Sequence, residues 1–174
     1  ERIVKAFLPD AVPDRFEDLA IPLKVTATDY FGHELAVFDS GDLHSALAAS
    51  AAIPAVFRPV SRDGRLLIDG GIYNPVPFDL IGRDADIVVA VDVVGAPSEA
   101  ERKRPSSVDL MFGATQLMMQ SIIANKLMQC RPDILIRPPV SRFRVLDFLK
   151  IDAVMAETVA VKDEVKREVE RALA

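Results

Sequence analysis

The apolar period of this chain changes several times along its length, and that alternation constrains the fold more than any single residue. Leu23 to Ala27 alternates apolar and polar residues, and Leu35 to Phe38 is a second short apolar run. Between them, Asp29 to Glu34 supplies a turn at Gly32, so a hairpin is predicted. Asp42 is placed to cap a short Ala-rich helix from Leu43 to Ala51, which Pro54 stops. Pro59-Val60-Ser61 and Arg65 to Ile68 flank Arg62-Asp63-Gly64, a second hairpin signal. Phe78 to Ile81 should form a short helix behind Pro77. Ile87-Val88-Val89-Ala90-Val91 is a continuous run rich in β-branched residues, as expected of a central strand buried on both faces. Val108 to Gln129 reads as one long helix and Ile134 to Ile136 as another strand. Ile151, Val154, Met155, Thr158, Val161, Val165 and Val169 then repeat at helical spacing. Strands alternating with helices predict an α/β fold, a layered sheet with helices on both faces.

Composition closes off several classes of function. The 174 residues, half of them hydrophobic, suit one domain with a proper core. A net charge of −5 argues against a broad phosphate-binding surface, so no nucleic-acid partner is expected. The basic stretches Arg102 to Arg104 and Arg142 to Arg144 are short and read as solvated loops within polar segments, of which Pro97 to Pro105 is the expected nicking site. The single cysteine, Cys130, excludes an internal disulfide framework, fits a reducing compartment and reads as a small buried hydrophobe. Only His33 and His44 could serve as imidazole ligands, with no Cys/His cluster beside them, so no metal is expected. No glycine-rich turn precedes a Lys-Ser or Lys-Thr pair, and no organic cofactor is expected either. Glu1-Arg2-Ile3-Val4 opens no signal peptide and does not read as a natural start. Leu110 to Asn125, the longest uncharged apolar stretch, is too short and too polar to span a bilayer. A cytoplasmic or peripheral-membrane chain is the expectation.

The remaining chemistry is acid–base or nucleophilic. Asp69-Gly70-Gly71 follows the apolar Leu66-Leu67-Ile68, which should anchor the carboxylate at a strand end, where α/β sheets place their clefts. The two glycines let backbone or ligand approach closely. Alone, this tripeptide is merely a good turn.

Its flanks say more. Ala49-Ser50-Ala51-Ala52-Ile53-Pro54-Ala55-Val56-Phe57, followed by Leu67-Ile68-Asp69-Gly70-Gly71-Ile72-Tyr73-Asn74-Pro75-Val76-Pro77, closely resembles two signature blocks of patatin-like phospholipases. Pro22 to Asp29, the Gly32 turn and Phe38-Asp39-Ser40-Gly41-Asp42 resemble that family's preceding segment. The resemblance runs in order from about Phe16 to Asp92 and covers what looks like the C-terminal part of a single patatin-like domain, 1–174, incomplete on its N-terminal side. It implies a lipid acyl-ester hydrolase, of the phospholipase or lysophospholipase type, working through a Ser–Asp dyad without histidine. Asp69 maps onto the dyad aspartate, with Gly70 and Gly71 supporting it. An aspartate is a poor base toward a hydroxyl in water, but exclusion of water raises its proton affinity.

The chain departs from the pattern at one decisive point. The family's nucleophile lies in Gly-x-Ser-x-Gly, and none of the serines here has glycines two residues before and after it. The resemblance therefore implies half of an active site, inactive alone, with lipid or acyl ester as substrate and transient membrane contact. The partner expected is a second copy or the missing N-terminal half, and without either an apolar side of the sheet should stand exposed. The rival reading is a non-catalytic lipid-binding or interaction module. A Ser50–His44–Asp69 triad can be drawn, but His44 and Ser50 fall on different faces of the predicted helix, so Ser50 is read as structural. His33, in the hairpin turn, is expected to be exposed. The helix carrying Met111, Met118, Met119 and Met128 is apolar over more than one face and reads as core or as a chain–chain interface in preference to the lining of an acyl pocket.

Overall fold

The computed structural model describes residues 8–9, 11–82, 85–97, 104–141, 143, 147 and 150–174. The chain forms an α/β fold divided into two compact units, Glu1–Pro75 and Val76–Ala174. In the first, strands β1 (Val25–Asp29), β2 (Glu34–Phe38), β3 (Val60–Arg62) and β4 (Arg65–Asp69) form an antiparallel sheet in the order β2-β1-β4-β3. Both predicted hairpins are present. The β1–β2 turn is organised by buried Asp29, whose Oδ1 accepts the backbone N–H of Phe31 at 3.2 Å and of Gly32 at 2.9 Å. Asp63 and Gly64 turn the β3–β4 hairpin at φ of 51° and 75°. Positive φ at both central residues is the turn whose twist matches the flanking strands.

Helix α1 (Leu43–Ser50) starts as predicted, with the Asp42 carboxylate accepting the Ser45 N–H. It ends one residue before the predicted Ala51, which serves as its C-cap, so the helix stops before Pro54 acts. Leu43, Ala46 and Ala49 bury against Val25, Ala27, Ala36, Phe38 and Leu67, and the small alanines let the helix lie close to the sheet. Leu67 is fully buried in this cluster. Side chains alternate along β4, so Leu67 and Asp69 share the face toward α1. Leu66 and Ile68 line an apolar pocket on the other face with Tyr30, Pro54, Ala55, Phe57 and Pro59.

The second unit opens with a short 3-10 turn, Phe78–Leu80, behind Pro77. Strands β5 (Val89–Val91) and β6 (Ile134–Ile136) pair in parallel, and helices α2 (Ser107–Gln129) and α3 (Ile151–Ala172) follow β5 and β6 in the chain. A reciprocal Ser106–Asp109 capping box starts α2. Buried Asp92, just past β5, accepts the Val94 N–H and sits 3.2 Å from the Arg137 guanidinium. Among the described residues, no helix is long and apolar enough to cross a membrane.

Three expectations are corrected here. Ile87 to Val91 is not a central strand: only Val89–Val91 is extended, β6 is its one partner among the described residues, and Val91 is 48% exposed. A β-branched run reports strand preference, whereas burial on both faces depends on partners distant in sequence. Cys130 is exposed, because it stands just past the last residue of α2 with extended backbone that leaves the helix surface. Nor is α2 a core helix: Gly113 and Ile123 are its buried residues, while Leu110, Met111, Leu117, Met118 and Met128 are exposed. These side chains give α2 an apolar side that faces solvent.

Pro97 to Pro105 cannot be read as a whole, since residues 98–103 lie outside the described residues, as do Arg102, Arg142, Arg144 and the opening Glu1 to Val4.

Candidate functional site

Asp69 is the last residue of β4, paired in register with Ala27 of β1. Its backbone is fixed on both sides. The N–H donates to the Ala52 carbonyl at 3.1 Å, and the carbonyl accepts the Thr28 hydroxyl at 2.8 Å. These bonds tie together three segments far apart in sequence: the end of β1, the turn after α1 and the end of β4. Beyond Asp69 the chain tightens into a 3-10 turn, Gly70–Ile72, which the aspartate caps by accepting the Gly71 N–H on Oδ1 at 2.7 Å.

Gly70 is required by space. A Cβ there would collide with the Thr26 carbonyl group of β1 and lie 2.7 Å from the Thr26 hydroxyl oxygen. Gly71 has another part, as the donor that orients the carboxylate.

The half-buried carboxylate uses Oδ1 on Gly71, while Oδ2 has no hydrogen-bond partner among the described residues. Burial raises its pKa above the ordinary 3.8, partly offset by the Gly71 N–H. Such a carboxylate offers one oriented, unclaimed oxygen of increased proton affinity. It can accept a proton from a hydroxyl brought to Oδ2.

The raised pKa has a consequence for stability. The folded chain binds the Asp69 proton more tightly than the unfolded chain does. The stability from that proton is full below 3.8 and is lost as pH rises through the higher folded value. Asp69→Asn should therefore raise the melting temperature at neutral pH, and the advantage should vanish below pH 3.8. Thermal unfolding across pH checks this, and a variant less stable than wild type at neutral pH would contradict it.

The other sequence candidates are not brought to this carboxylate. His44 is buried in α1, and its Nε2 lies 3.0 Å from Asp14 Oδ1, so it pairs with Asp14 rather than with Ser50 or Asp69. Its Nδ1 is buried without a hydrogen-bond partner among the described residues. Ser50 is the half-buried last residue of α1. His33 is exposed in the β1–β2 turn at φ 54°. If the site around Asp69 serves ester hydrolysis, Ser50→Ala should leave turnover by the full-length protein within about twofold of wild type, as substitutions away from reacting groups do. A tenfold loss would return Ser50 to the chemistry.

Thr28 and Ala52, which hold Asp69, were not singled out in the sequence. Both lie in the quoted blocks, but nothing in those blocks marks the cross-strand bonds. Among the described residues, no group of His, Cys, Asp and Glu is arranged to hold a metal ion.

The ordered segments joined at Asp69 resemble those of a known family: residues 1–81 match the family model of patatin-like phospholipases. They are similar to a patatin-like phospholipase segment. Among individual proteins, the chain is 38% identical over 109 residues to an uncharacterized NTE family protein of Mycobacterium tuberculosis, covering 62% of this chain and 30% of that protein. It is 28% identical over 168 residues to a patatin-like phospholipase domain-containing protein of Caenorhabditis elegans, covering 80% of this chain and 12% of that protein. Mouse patatin-like phospholipase domain-containing protein 7 is likewise 28% identical over 166 residues, with 80% and 12% covered. The chain thus spans under a third of the mycobacterial relative's length.

Proposed function

We propose that this chain contributes the aspartate of a Ser–Asp dyad to a lipid acyl-ester hydrolase, of the phospholipase or lysophospholipase type. The observation that carries the reading is the geometry at Asp69: a half-buried, oriented carboxylate with Oδ2 unclaimed among the described residues, in the Asp-Gly-Gly block of a patatin-like segment. The nucleophilic serine is supplied from outside residues 1–174, since none of the serines here stands in Gly-x-Ser-x-Gly.

The chemistry balances with one proton acceptor. As the serine Oγ attacks the ester carbonyl, its proton passes to Asp69 Oδ2. Collapse of the tetrahedral intermediate breaks the ester C–O bond, and Asp69 returns that proton to the departing alcohol oxygen. Water then attacks the acyl-serine, gives its proton to Asp69, and the serine is reprotonated as the free acid leaves. No metal or organic cofactor is needed for these steps.

The test compares this chain with the full-length protein on an activated short-chain ester. Residues 1–174 alone should show no turnover, and the full-length protein should turn over and label covalently with a fluorophosphonate. A full-length protein that folds, binds lipid vesicles and ignores the fluorophosphonate would favour the non-catalytic lipid-binding module. The exposed apolar residues of α2 are the observation on which that second reading rests.

A further inference from the structure

Resting on the role proposed for Asp69, we infer that Thr28 is a positioning residue for that carboxylate, acting through the main chain rather than on the substrate. Thr28 is 6% exposed, and its hydroxyl donates to the Asp69 carbonyl at 2.8 Å, a bond between residues 41 apart in sequence. That carbonyl belongs to the Asp69–Gly70 peptide, through which β4 passes into the 3-10 turn. One peptide further on is the Gly71 N–H that holds Asp69 Oδ1. The peptide that carries this donor is itself held by its carbonyl, which accepts the Tyr73 and Asn74 N–H groups at 3.3 and 3.0 Å, so the Thr28 bond fixes the other side of Gly70 and, with them, the direction of Oδ2.

Beside the pairing of Ala27 with Asp69, two contacts among the described residues hold the Asp69–Gly70 peptide against β1. One is the Thr28 hydroxyl bond, and the other is the close approach of Gly70 to the Thr26 carbonyl and hydroxyl. The second is packing, which keeps the chain out of β1 but does not set the rotation of the carbonyl. The hydrogen bond sets it. Without the hydroxyl, the carbonyl loses its side-chain partner while the Ala52 and Ala27 contacts remain, and the loosened peptide lets the carboxylate drift from its proton donor. A displacement of about an ångström at a reacting group can cost about a hundredfold in rate.

Many buried threonines satisfy their hydroxyl on a nearby carbonyl with no role beyond stability, so the test reads catalysis apart from folding. In the full-length protein, Thr28→Val should lower kcat for an activated short-chain ester by about 10- to 100-fold with KM within about twofold. Thr28→Ser keeps the donor and should recover kcat to within about threefold of wild type. In an Asp69→Asn background, Thr28→Val should have no further effect, because the group it positions no longer accepts a proton. Thr28→Ala removes the same donor with less bulk and is read by the same criteria if the valine variant fails to fold. The inference is overturned if the donor-less variants keep kcat within about twofold of wild type, if serine fails to rescue, or if the losses multiply in the double variant. Asp69→Asn alone separates the two claims. A wild-type rate there removes Asp69 from the mechanism and Thr28 with it, whereas a slow Asp69→Asn beside an unaffected Thr28→Val removes Thr28 only.

Discussion

Asp69→Asn should slow ester hydrolysis by the full-length protein by about two to four orders of magnitude, the range that general acid–base help supplies. The substitution isolates the proton acceptor. Asparagine keeps the size of the side chain, and its amide oxygen can still accept the Gly71 N–H that now holds Oδ1. What it loses is a basic oxygen at the position of Oδ2, so the serine proton has nowhere to go as the carbonyl is attacked. The loss should fall on kcat with KM nearly unchanged, because Asp69 is assigned no contact with the bound lipid. Steady-state kinetics measures both. With the variant folded by the thermal criterion, a wild-type rate would exclude Asp69 as the base.

Gly70→Ala should damage fold and activity together. The added Cβ would strike the Thr26 carbonyl group, which is β1 backbone, so no side-chain rotation relieves the clash. Either β1 and β4 separate or the 3-10 turn rebuilds. Overpacking of this kind costs about 1–3 kcal/mol. Both escapes move Asp69, which pairs with Ala27 in register and holds Thr28 through its carbonyl. Denaturant unfolding should show the lost stability, and turnover should fall about as far as with Asp69→Asn. A fully stable and active Gly70→Ala protein would mean that the close approach to Thr26 does not constrain the site.

The features legible in the sequence are those set by neighbouring residues. Asp42 caps α1, Asp63-Gly64 turns a hairpin, and Val108 to Gln129 reads as one helix because each signal lies within a few residues of its effect. Asp69 was legible at the same scale, as a carboxylate after an apolar strand and before two glycines. What holds it was not. The bonds to Ala52 and Thr28, and the space that forbids a side chain at Gly70, arise from strand register and from the turn after α1. The same limit explains the expectations that failed. The strand character of Val89 to Val91 is local, but the number of its neighbours is not, and the exposure of Cys130 and of the α2 methionines depends on what packs against them. Helix geometry already set His44 apart from Ser50, but its pairing with Asp14, thirty residues earlier, is a contact that no local signal marks.

The central claim, that Asp69 is the base for a serine nucleophile, is tested most directly by the pH dependence of fluorophosphonate labelling in the full-length protein. Labelling requires the serine to attack, so its rate reports the activated nucleophile without interference from deacylation or product release. Wild-type protein should label fast at neutral pH and lose rate as pH falls, with an inflection above 3.8, because burial raises the Asp69 pKa. Asp69→Asn should label about a hundredfold more slowly or worse, with no inflection in that range. Equal labelling rates with superimposable pH profiles for the two proteins would contradict the account.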